Sequence, residues 1–106
     1  MGVDLSGSNG NYFRNNVWWW YPLWNYVCDV GVSFITDEDR TGGSYNDGYF
    51  VPPSKARQIA EILGQKIESG ECAVHAACLP KLYQFSVENV ANFVEFCAAS
   101  GGFVIW

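Results

Sequence analysis

The sequence predicts an α+β domain, with about three helices packed on a small antiparallel sheet formed by an N-terminal aromatic segment and the C-terminal tail. Three observations carry the prediction. Two stretches, residues 54–70 and 86–101, repeat apolar residues at helical spacing between a capping serine and a glycine. The segment Tyr12–Trp20 and the tail Phe103–Trp106 are rich in aromatic and β-branched residues, which suits strands. The chain has 106 residues and is 49% apolar, enough for a single core and too apolar for disorder.

Residues 1–11 are polar and rich in Gly and Ser, and read as a flexible arm before a single globular domain at 12–106. They have no basic stretch ahead of an apolar one, so no secretory signal is expected. Met1-Gly2 with Ser6 matches an N-myristoylation pattern, a loose one, and a flexible start is the preferred reading. Tyr12–Trp20 is expected to be a strand. Pro22 suits a first helical turn, so a short helix is placed from Pro22 to about Val30, with Leu23, Val27 and Val30 on one stripe. Val32–Ile35 fits a short strand or a last helical turn. Residues 37–48 are acidic and glycine-rich and read as a loop, in which Asp47-Gly48 could close a hairpin.

Pro52-Pro53-Ser54 opens the clearest helix, with Ser54 as N-cap, Ile59, Ile62, Leu63 and Ile67 on its apolar face, and Gly70 as its stop. Ala73–Leu79 reads as one or two helical turns before Pro80. Ser86 caps a last helix whose stripe is Val90, Phe93, Val94 and Cys97, and Gly101-Gly102 stops it. The tail could then pair with the Tyr12 segment.

Several pieces of the chain resemble small bacterial and phage proteins that have no assigned activity. They are the opening Tyr12-Phe13-Arg14-Asn15-Asn16-Val17-Trp18-Trp19-Trp20-x-Pro22-Leu23-Trp24, the middle Tyr45-Asn46-Asp47-Gly48, and the ending Ser100-Gly101-Gly102-Phe103. Where such openings carry a basic residue, this chain has Tyr21. The resemblance implies an accessory protein and transfers no catalytic residue.

Net charge is −5, and Arg14 is the single cation among the first 39 residues. That balance argues against nucleic acid and against anionic membranes as partners. Six aromatics fall within Val17–Tyr26, more than one small core can hide on a two-faced strand. Trp18, Trp19, Trp20 and Trp24, with Arg14 and Asn16, are therefore the candidate interface or ligand platform, with part of the run in the core.

Cys72-x-x-His75-x-x-Cys78 is the sharpest metal candidate, because Cys and His are zinc ligands and helical spacing brings the three roughly to one face. Its apolar neighbours and the lack of a Cys-x-x-Cys pair favour a packed helix instead. Asp37-x-Asp39-x-Thr41-Gly42 echoes the start of a calcium loop, but Gly48 stands where a bidentate Glu is needed, and a solvated turn with Thr36 or Asp37 as a cap is preferred.

The function predicted is a non-enzymatic interaction module, cytoplasmic, associating with itself or another protein through aromatic surface and needing no cofactor. Two alternatives remain open. One is a small-ligand binder on the aromatic platform; the other is a metal-dependent enzyme using Cys72, His75 and Cys78, with zinc as its ion.

Overall fold

A computed structural model describes residues 2–45, 47–80 and 82–106. The elements run β1 (Gly2–Gly7), β2 (Tyr12–Asn16), α1 (Val17–Val30), α2 (Asp37–Tyr45), β3 (Tyr49–Val51), α3 (Pro53–Glu68), α4 (Glu71–Cys78), α5 (Val87–Ser100) and β4 (Phe103–Ile105). The strands form one antiparallel sheet in the order β2-β1-β4-β3. The class is α+β as predicted, but with five helices among the described residues rather than about three. Met1 of the acylation pattern and Asn46 of the Tyr45–Gly48 motif lie outside the described residues.

The first correction concerns the expected arm. Gly2–Gly7 is an inner strand, paired on both sides. Val3 and Leu5 alternate with Asp4 and Ser6 and are fully buried, so two apolar side chains suffice to seat it. The turn into β2 is closed by Gly7 N–H to the Asn11 carbonyl (2.8 Å), with Gly10 at φ +93°. It is tied down by Ser8 N–H to the Gly102 carbonyl (2.8 Å) and by the Asn11 amide to the Phe96 carbonyl (3.2 Å). The tail consequently pairs with β1 and β3, not with the Tyr12 segment.

The second correction concerns the tryptophans. Asn16 ends the strand, because its side-chain oxygen accepts the backbone N–H groups of Trp18 (3.0 Å) and Trp19 (3.2 Å) and starts a helix there. Trp18–Trp20 thus advance by about 100° per residue instead of alternating. Trp20, Leu23, Trp24 and Val27, at i, i+3, i+4 and i+7, make the buried stripe. Pro22 lies inside α1 rather than at its start.

The third correction is α2, which occupies most of the expected loop. Thr36 and Asp39 cap it reciprocally: Asp39 N–H donates to the Thr36 hydroxyl (3.1 Å), and Thr36 N–H donates to the Asp39 carboxylate (2.9 Å). Gly42 and Gly43, poor helix formers, are there because larger residues would strike Tyr49 and Trp24. Asp47-Gly48 closes no hairpin; it leads into β3, and Gly48 N–H bonds the Ile105 carbonyl (2.8 Å). Residues 31–34 form a turn.

The remaining helices follow their sequence signals. Pro52 rather than Ser54 is the N-cap of α3, with Pro53 in the first turn. Gly70 (φ +85°) separates α3 from α4, Ser86 caps α5, and Gly101 (φ +66°) ends it. Phe96 joins Val90, Phe93 and Cys97 on the buried stripe of α5. The core sits between helices and sheet. Trp20 stacks on Trp24 (5.4 Å between centroids) and meets Phe93 edge-on (5.7 Å), while Phe93 meets Phe103 of the sheet edge-on (6.0 Å).

Candidate functional site

The aromatic run divides by depth. Trp20 and Trp24 are core, and each indole N–H is satisfied by α2: Trp20 by the Gly43 carbonyl (2.8 Å), Trp24 by the Arg40 carbonyl (3.3 Å). Trp19 is half-buried, and Trp18 is 71% exposed. Asn16 serves as a helix cap, and Arg14 is engaged with Asp4. The six predicted residues therefore do not converge on one platform.

A different surface does converge. Strand register sets Tyr12, Ser6, Val104 and Phe50 in one row across all four strands. Side chains alternate along strands, so this row shares the face opposite Val3, Leu5, Val51, Phe103 and Ile105, which are all buried against the helices. Tyr12 is 60% exposed, Phe50 50% and Trp106 52%. Trp106 is pinned over the same face by its backbone N–H to the Asp4 carbonyl (2.8 Å) and its indole N–H to the Ser6 hydroxyl (3.2 Å).

The polar side of this face is self-neutralised. The Tyr12 hydroxyl and the Arg14 guanidinium (2.6 Å) both donate to the Asp4 carboxylate. Those donors hold the Asp4 carboxyl below the usual range, the Tyr12 bond most, and the Arg14 charge is reinforced in turn. The result is a hydrogen-bonded aromatic face with one internal ion pair. Sequence reasoning missed Tyr12, Phe50, Val104 and Trp106. The available signal was the unbroken apolar tail Phe103-Val104-Ile105-Trp106, which must place apolar side chains on both faces of its strand.

The cysteine–histidine set lies on α4 in three environments. Cys72 is buried beside Tyr26. His75 is half-buried, its ring 4.4 Å from Tyr26 and 4.9 Å from Phe85. Cys78 is exposed. Six residues turn a helix by about 600°, which leaves Cys78 about 120° round from Cys72, so the three do not share a face as the spacing suggested. Burial raises the Cys72 thiol pKa, and burial followed by the nearby Cys72 pushes Tyr26 up to about 12. Among the described residues, no group of three or more His, Cys, Asp or Glu side chains is arranged to hold a metal ion. A groove of about 640 Å³ beside His75 is lined by Tyr26, Lys66, Glu71, Val74 and Cys78.

The chain matches no protein-family model, no curated protein and no solved structure.

The acidic motif is committed elsewhere. Asp39 is buried and accepts from Lys55, from the Tyr49 hydroxyl and from Thr36 N–H. Burial pushes its pKa up, but these donors, Lys55 foremost, more than offset that and hold it below the usual carboxylate range. With Asp39 spent on α3 and β3, and the segment helical, the calcium-loop echo has no loop to build on. No described helix is long and apolar enough to cross a membrane.

Proposed function

We propose that this protein is a non-enzymatic interaction module that pairs with a second copy of itself through the open face of its sheet. The observation that carries the reading is the row Tyr12, Ser6, Val104 and Phe50, roofed at one end by Trp106, with three large aromatics at least half exposed. An exposed apolar face of this size is comparable to the largest patch on a typical monomer, and such patches are often functional. The Asp4–Arg14 pair is neutralised within one chain, so two like faces can meet there without charge repulsion.

Geometry sets the strength. Four strands about 4.8 Å apart, of six, five, three and three residues, give a face of roughly 270 Å². That is well below the roughly 800 Å² per partner of a standard stable interface. The pairing is accordingly weak and concentration-dependent, micromolar or looser. Its setting is the cytoplasm, in an accessory role of the kind implied by the likeness to small bacterial and phage proteins. An acidic chain of this balance pairs with protein rather than nucleic acid or membrane.

Sedimentation velocity across micromolar to near-millimolar concentration, in reducing buffer, tests this. A weight-average mass rising toward two chains supports it; a strict monomer throughout overturns it.

A further inference from the structure

A second site lies on the helix-covered side of the sheet, where the edge of β2 meets the start of α5. A cavity of about 300 Å³ is lined there by Asn15, Trp19, Ser86, Glu88, Asn89 and Asn92. Two of its lining residues form an amide clasp: Asn15 donates to Asn89 (3.0 Å) and Asn89 donates back (2.9 Å), joining residues far apart in sequence. The second N–H of Asn15 is held by the Arg14 carbonyl (3.1 Å). The clasp is therefore rigid. It still leaves one N–H on Asn89 and a lone pair on each carbonyl oxygen.

The rest of the lining is polar but unspent. Ser86 uses its oxygen to cap α5 and keeps its O–H as a donor. Asn92 follows Asn89 by three residues on α5, so both lie on one side of the helix. Neither the Asn92 amide nor the Trp19 indole N–H has a hydrogen-bond partner among the described residues. Glu88 adds a carboxylate acceptor, and no cation lines the cavity.

We infer that this cavity binds a neutral pyranose ring. Adjacent sugar hydroxyls each donate and accept, which is what paired amides and a carboxylate satisfy. The electron-rich indole face suits the positively polarised C–H groups of the ring. The volume is at the lower end of the roughly 300–1,000 Å³ of small-molecule sites, which fits one ring and not a nucleotide. Glu88, with no balancing cation, disfavours phosphate and carboxylate ligands.

The experiment is a two-dimensional amide and indole NMR titration of the ¹⁵N-labelled chain. The probes are methyl β-glucopyranoside, methyl β-galactopyranoside, methyl α-mannopyranoside and N-acetylglucosamine, with glucose 6-phosphate as the anionic control. At least one neutral sugar should give saturable shifts of the Trp19 indole and the Asn89 and Asn92 side-chain amides, with Kd in the range of roughly 1–10 mM. Glucose 6-phosphate should bind more weakly than any sugar that binds. Asn92→Ala, an exposed change that spares the fold, should weaken binding about fivefold. No saturable shift with any of the four, shifts centred elsewhere, or unchanged affinity in Asn92→Ala overturns the inference. Failure here leaves the pairing of the sheet face untouched, because the two surfaces share no residue.

Discussion

Trp20 donates its indole N–H to the Gly43 carbonyl over 2.8 Å, and the place where a Gly43 Cβ would stand is only 2.1 Å from the ring of Trp24. One glycine thus accepts from one tryptophan and makes room for the next. This contact seats α2 on α1 and keeps the acidic segment in the fold.

Gly43→Ala should therefore be costly although alanine is the better helix former. The new methyl cannot be placed without moving a stacked, fully buried ring, an overpacking cost of about 2 kcal/mol. Urea unfolding followed by tryptophan fluorescence checks it. A change under about 0.5 kcal/mol, the size of an ordinary surface substitution, contradicts the close packing of α2.

Asp39 should govern acid stability. Its folded pKa lies below that of an unfolded carboxyl, so the stability it supplies is complete above about pH 4 and is lost as pH falls through the folded value. Asp39→Asn should cost about 3 kcal/mol at neutral pH, because it strands Lys55 beside a buried site. The variant should also show a flatter stability profile than the parent between neutral pH and about pH 2. Equal slopes for the two proteins would place the acid-sensitive group elsewhere.

The thiols should separate by burial. Cys78 is exposed, whereas Cys28, Cys72 and Cys97 are buried; burial pushes the Cys28 thiol up to about 11 and raises the other two as well. Titration with an aromatic disulfide at neutral pH should find one fast thiol in the folded chain and all four in denaturant. Two or more fast thiols would show that α4 does not hold Cys72 inside.

What the sequence made legible follows from which signals are local. Ser86, Gly70 and Gly101 act within a turn or two, and each begins or ends a helix as read. Asn16 is also a local cap, but the β-prone composition of Tyr12–Trp20 masks it, so the expected strand runs four residues past the observed end. The helix at 37–45 was obscured because Gly42 and Gly43 argue against helix on propensity, and their reason is tertiary: Tyr49 and Trp24 occupy the space. β1 offered only Val3 and Leu5 as apolar signal, and its position between β2 and β4 depends on partners remote in sequence. The open face was illegible for the same reason. Tyr12, Phe50 and Trp106 come from three distant segments, and only register brings them together.

The proposed pairing requires that the open sheet face, rather than another apolar patch, join the two copies. Sedimentation of the parent is to be compared with that of Phe50→Asp, at the β3 end of the proposed contact, and of Val74→Asp on α4. Both positions are at least half exposed, so neither change should unfold the chain. Phe50→Asp should remain monomeric at concentrations where the parent and Val74→Asp approach two chains. A parent that never exceeds one chain, or a Phe50→Asp protein that associates as well as the parent, would contradict it.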